Sequence, residues 1–172
     1  MKKVLYFKFT NAYLQKDVAE RLAKVQVMLS ELKPGYHLLI YDAVRPVSVQ
    51  QRMWDALDTI SIRERGKFVS NPANKSLHNY GAAVDLTIAD NFGKAIDMGA
   101  GYDDIREIAY PSLEAKYLKS GELTKEQVEN RKLLRKVMHS QGFRNIQTEW
   151  WHFNACSRGA AKAKYTVLTE EF

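Results

Sequence analysis

Residues 76–87, Ser-Leu-His-Asn-Tyr-Gly-Ala-Ala-Val-Asp-Leu-Thr, constrain this chain more than any other stretch. A glycine and small residues separate His78 from Asp85, and Val84, Leu86 and Ile88 then alternate in the manner of a half-buried strand. An imidazole and a carboxylate at the mouth of a strand are mounted as metal ligands usually are. Near the other end, Glu149, Trp150, Trp151, His152 and Phe153 supply a second imidazole, with a carboxylate three residues ahead and aromatics that favour a strand. The two stretches together offer two histidines, one aspartate and a spare glutamate. Three protein ligands with a vacant fourth position suit a catalytic zinc, because the vacancy holds the water that the metal acidifies. Glu149 is then the candidate proton acceptor. Residues three apart on a strand face opposite sides, so Glu149 is expected at the strand's entry or at a bulge.

The segments between these stretches read as a scaffold. Val18, Leu22, Val25, Leu29 and Leu32 recur at helical steps, Asp17 with Glu20 forms a capping-box pattern, and Pro34-Gly35 ends the run. Residues 36–43 form a compact apolar run that predicts a central strand, and residues 4–9 are a weaker strand candidate. Pro46 keeps Arg45 out of helical geometry at that strand's end. Arg45 has two readings: an ion pair with Asp42, or a fixed cation for a substrate carboxylate or an oxyanion, and the metal motif favours the second. Ser48 with Gln51 suggests a capped helix carrying Met53 and Trp54 into the core. Residues 61–75 read as a surface loop that walls a cleft, and residues 89–123 as a long stretch without periodicity. Thr124 with Gln127 caps a last helix, whose apolar face is Val128, Leu134, Val137 and Met138 and which Gly142 closes. His139 in its final turn and His37 are assigned to structure rather than to the site.

Composition narrows the alternatives. The 172 residues, 45% of them apolar, suit one domain with a real core. The net charge of +6 is dispersed among acidic neighbours without an aromatic platform, which argues against nucleic acid. A single cysteine, Cys156, excludes an internal disulfide framework and reads as a small buried residue. No run is long enough for a membrane span, and Val4 to Lys8 is too short and too soon charged for a signal peptide, so the expected location is cytoplasmic.

Ser76-x-His78-x-x-Gly81-x-Ala83-x-Asp85-Leu86-Thr87, the Glu149-Trp150-Trp151-His152 stretch and Asp42-x-x-Arg45-Pro46 together resemble the zinc D-alanyl-D-alanine dipeptidases, including those of vancomycin resistance. The three blocks stand in the family's order. The resemblance implies one zinc per chain on His78, Asp85 and His152, with Glu149 as general base and Arg45 steadying the transition state. It also implies Ser76 and Asp103 as contacts for the substrate's free amino end, and a small dipeptide as substrate. The capped helices and short strands suggest an α+β fold, a small antiparallel sheet carrying the ligands with helices packed against it, and the resemblance implies that this fold is of the hedgehog and D,D-peptidase type. Two other functions remain open. A carboxypeptidase or endopeptidase on peptidoglycan peptides would share the metal set with a more open cleft, and an inactive zinc-containing binding module would need neither Glu149 nor Arg45. Family members carry a longer segment ahead of the first helix, so an N-terminal piece is expected to be missing here; a signal within it would make the protein periplasmic or exported. Oligomeric state is not legible.

Overall fold

The structure, a computed structural model, describes residues 5–66 and 69–172. Helix α1 (Lys16–Leu32) turns Val18, Leu22, Val25 and Leu29 inward at the predicted spacing. Its expected capping box is absent: Gln15 is the cap residue, and Asp17 instead accepts hydrogen bonds from Lys164 and Tyr165. A carboxylate in the first turn of a helix can serve a distant partner as well as its own amides. Strand β1 (His37–Asp42) follows, then α2 (Val47–Ala56), the short α3 (Ile62–Arg65) and a 3-10 turn at Pro72–Asn74. Pro46, not Ser48, precedes α2, because a proline has no N–H to leave unpaired at a helix start. Met53 and Trp54 are half-buried rather than core, and Val49 and Gln50 are the buried residues of that helix.

A second 3-10 turn, Leu77–Tyr80, leads into β2 (Ala83–Ala89) through Gly81, whose φ of 64° is left-handed. Two more 3-10 turns, α4 (Glu114–Ser120), α5 (Lys125–Ser140), β3 (Arg144–Asn145), β4 (His152–Asn154) and α6 (Arg158–Lys164) complete the order. The capping box at Thr124 and Gln127 forms as read. Residues 5–9 form no strand, and Val4, where that candidate began, lies outside the described residues.

The sheet is antiparallel throughout, in the order β1-β2-β4-β3. The strand expected at the centre, β1, is therefore an edge, with alternate residues exposed, and β2 occupies the middle. Every residue of β2 is buried, where the alternation had suggested half. The period is real, but both faces are covered. Val84, Leu86 and Ile88 join α1 and α5 in the core with Phe153, Leu134 and Phe143. Asp85 and Thr87 lie on the other face and are buried as well. Helix α5 is held to the aperiodic segment by Arg131, 1% exposed, which donates to the carbonyls of Met98 and Ile108. The C-terminal tail closes onto the N-terminal segment, where the Glu171 carboxylate accepts from the amides of Phe7, Lys8 and Phe9. No helix among the described residues is long and apolar enough to cross a membrane.

Candidate metal centre and active site

Register does most of the assembly. Asp42 pairs with Asp85 across β1 and β2, and Asp85 with His152 across β2 and β4, so three of the singled-out residues lie in one row across the sheet. His78 joins from the turn before β2, which Arg45 pins by donating its backbone N–H to the His78 carbonyl. Gly81 lets the chain reverse between His78 and Asp85, and a Cβ there would lie 2.9 Å from a Val44 methyl.

The donor atoms of His78, Asp85 and His152 form a triangle. His78 Nε2 lies 3.2 Å from His152 Nδ1, His152 Nδ1 lies 2.9 Å from Asp85 Oδ1, and His78 Nε2 lies 3.4 Å from that oxygen. A tetrahedral ion with ligands at about 2.0–2.1 Å would space its donors by roughly 3.3–3.4 Å, so the triangle has the size of a zinc site. The hydrogen bonds on the far sides of the rings fix their chemistry. His78 Nδ1 is 2.6 Å from the Ala43 carbonyl, and His152 Nε2 is 2.8 Å from Asn154 Oδ1. The Ala43 carbonyl can only accept, so His78 carries its proton on Nδ1 and leaves Nε2 bare; His152 has an acceptor on either side, Asn154 Oδ1 and Asp85 Oδ1, and with its proton on Nε2 the two bare lone pairs face each other beside a carboxylate. That arrangement is repulsive unless positive charge sits among them. Burial opposes ionisation of Asp85, yet His78 and His152 hold its carboxyl far below the usual range. Burial likewise opposes charge on His152, and Asp85 nevertheless raises its pKa. These residues together could hold a divalent metal ion.

Around the triangle stand the other predicted residues. Glu149 sits ahead of β4, at the strand's entry as expected, with Oε2 3.9 Å from His152 Nδ1. Partial burial raises its pKa, and the Asp85 charge adds to the rise while His152 opposes it. Arg45, 9% exposed, forms the ion pair with Asp42 that its first reading expected, at 2.7 Å, and also reaches Asp85 at 3.5 Å. It thereby bridges two carboxylates that the register sets side by side, and it lines the pocket beside the triangle. Asp103 lies on the rim of the same pocket in a left-handed conformation, φ 60°. Desolvation by the pocket walls and the charge of Asp85 push its carboxyl up to about 6. Ser76 also lines the pocket, but its hydroxyl donates to Gln50 Oε1 and is 7% exposed as a residue. The cavity these residues share measures about 400 Å³, enough for a small ligand. Cys156, read as buried, is half-buried on its wall. His139 and His37 stay outside: His139 bonds Asn145, and His37 is exposed on β1.

Three contributors escaped the sequence reading. Tyr102 donates to Asp85 Oδ2 at 3.4 Å, stacks on Tyr41 and meets Trp151 edge-on. It comes from the aperiodic segment, where no pattern marks one tyrosine above another. Gln50 is fully buried and binds Ser76, Asn79 and the Ser70 carbonyl. A glutamine on the apolar face of α2 was a legible signal for it. Asn154, two residues past His152, offered only its proximity.

The sequence matches a known family along nearly its whole length. Residues 1–169 match the Peptidase_M15 family, described as D-ala-D-ala dipeptidase. The chain is 34% identical over 162 residues to the D-alanyl-D-alanine dipeptidase of Escherichia coli (strain K12), covering 92% of this chain and 72% of that protein. It is 28% identical over 168 residues to the D-alanyl-D-alanine dipeptidase of Synechocystis sp. (strain ATCC 27184 / PCC 6803 / Kazusa), covering 82% of this chain and 68% of that one. Among solved structures, the LdcB LD-carboxypeptidase aligns over 91% of this chain and 67% of its own, at 18% identity and a TM-score of 0.49. On its sequence match along almost its whole length, the chain belongs to the Peptidase_M15 family of D-alanyl-D-alanine dipeptidases.

Proposed function

We propose that this protein is a zinc-dependent dipeptidase that hydrolyses D-alanyl-D-alanine, with His78, Asp85 and His152 holding the metal. The observation that carries the reading is the triangle of donor atoms, 2.9 to 3.4 Å on its edges, with a carboxylate of raised pKa beside it in the same pocket. A zinc ion held there would supply a Lewis acid for the scissile carbonyl and lower the pKa of water toward about 7.

The protein's own groups account for the remaining steps. Glu149 takes the proton of the attacking water and returns it to the leaving amine, which a carboxylate with a raised pKa does more readily than an ordinary one. Arg45 offsets the negative charge that develops on the carbonyl oxygen, and it is already oriented by Asp42, so no reorganisation is required during the reaction. Asp103 receives the substrate's ammonium: its charged form is disfavoured in the empty pocket, and an arriving cation relieves that cost. Ser76 contributes to the same end of the pocket. Trp151, 3% exposed, lines one side of the pocket.

The test is a substrate panel on the zinc-loaded protein: D-alanyl-D-alanine, its L,L isomer and a longer cell-wall peptide ending in D-alanyl-D-alanine. Release of D-alanine chiefly from the free D,D dipeptide is expected. Faster release from the longer peptide would instead identify a carboxypeptidase, and no cleavage of any of the three would identify a binding module.

A further inference from the structure

The two imidazoles of the triangle are supported differently. His78 is held by a backbone carbonyl, that of Ala43, which no side-chain replacement removes. His152 is held by a side chain: its Nε2 lies 2.8 Å from Asn154 Oδ1, on the same short strand. A competing partner stands on the ring's other side, because His152 Nδ1 is 2.9 Å from Asp85 Oδ1, itself a hydrogen-bonding distance. A neutral His152 therefore has two places for its single proton. On Nδ1 the proton bonds Asp85 and occupies the direction a metal needs; on Nε2 it bonds Asn154 and leaves Nδ1 bare.

We propose that Asn154 is the positioning residue that selects the metal-binding tautomer of His152, by accepting the Nε2–H through its amide oxygen. The inference rests on the metal reading above and extends it beyond the three ligands and the general base. Partners of this kind orient a ligating histidine and raise its basicity, and their loss typically weakens metal affinity about 10–100-fold. An amide does so without adding charge. The two histidines and one aspartate carry a single negative charge between them, and a carboxylate at 154 would double it. The register adds a geometric reason for this residue: Asn154 pairs with Ala83 and His152 with Asp85, so β2 holds the acceptor and the ring in fixed relation.

The experiment compares the whole protein with Asn154→Ala and Asn154→Asp. Zinc affinity is measured by competition with a chelator, and the His152 ring protons are followed by NMR in the zinc-loaded protein. Asn154→Ala is expected to bind zinc about 10–100-fold more weakly, and its slowly exchanging Nε2–H signal should disappear. Asn154→Asp, which restores an acceptor, should hold zinc at least as tightly as the parent and keep that signal. If Asn154→Ala fails to fold, Asn154→Val, with no acceptor and a side chain suited to a strand, is read in the same way. Unchanged affinity in Asn154→Ala with parent protein that binds zinc overturns the role of Asn154 alone. Parent protein that binds no zinc overturns the metal reading together with it.

Discussion

At the scale of single residues, the pKa directions divide the site: Asp85 and His152 stabilise each other's charge, whereas burial and the Asp85 charge disfavour the charged forms of Glu149 and Asp103. Glu149→Ala should lower kcat on D-alanyl-D-alanine by about 10²–10⁴-fold, the range of a lost general base, while zinc remains bound. A variant that kept its turnover would remove Glu149 from the mechanism. Asp103 links function to stability. Its folded pKa of about 6 lies above its ordinary 3.8, so its contribution favours the fold below the ordinary value and is lost as pH rises through about 6. In metal-free protein, Asp103→Asn should therefore raise Tm at pH 8 and lose that advantage toward pH 4, helped by the ease with which asparagine adopts a left-handed backbone. The same substitution should raise KM for the dipeptide about tenfold or more, as expected for a lost hydrogen bond to a charged group. A Tm difference that does not change between pH 4 and pH 8 would contradict the assigned shift. Most of these residues were legible as types at a spacing: His78, Asp85, Glu149 and His152 come from two short stretches. Tyr102 and Asn154 were not, because their roles come from neighbours distant in sequence, or from a ring orientation that spacing cannot encode, and Gln50 was marked only by its place on the apolar face of α2.

At the scale of elements, periodicity identified what packs, and pairing determined where each element lies. Helices α1 and α5 were readable because their apolar residues face one core at helical steps. The run in β1 read as central because edge and centre differ in neighbours and not in propensity. The reading of β2 as half-buried failed for a related reason: its second face is covered by the aperiodic segment, which brings Tyr102 over Asp85. The turn joining His78 to that strand depends on Gly81. Gly81→Ala would place a Cβ 2.9 Å from Val44 and 3.1 Å from the Gln15 nitrogen, in a backbone region that costs an L-residue roughly 1–2 kcal/mol. For a protein of this size such a cost should lower Tm by roughly 2–8 °C. Thermal unfolding of the variant at the parent's temperature would show that the turn tolerates a side chain.

At the scale of the whole molecule, one sheet performs two tasks on its two faces. The face toward α1 and α5 buries Val84, Leu86, Ile88 and Phe153 and supplies the core. The opposite face carries the row of Asp42, Asp85 and His152, and so gives the site the rigidity of the core behind it. The resemblance identified the family before any contact was known, and the α+β architecture followed from the order of the elements. The closure of the C-terminal tail over the N-terminal segment through Glu171 had no sequence signature, since one carboxylate meeting three amides is a purely tertiary event. Whether His78, Asp85 and His152 hold a catalytic zinc is decided by metal analysis of the purified protein coupled to turnover. Close to one zinc per chain is expected, with D-alanine release lost on exhaustive chelation and restored by added zinc. Full turnover in protein stripped of metal, or folded protein that takes up none, would contradict it.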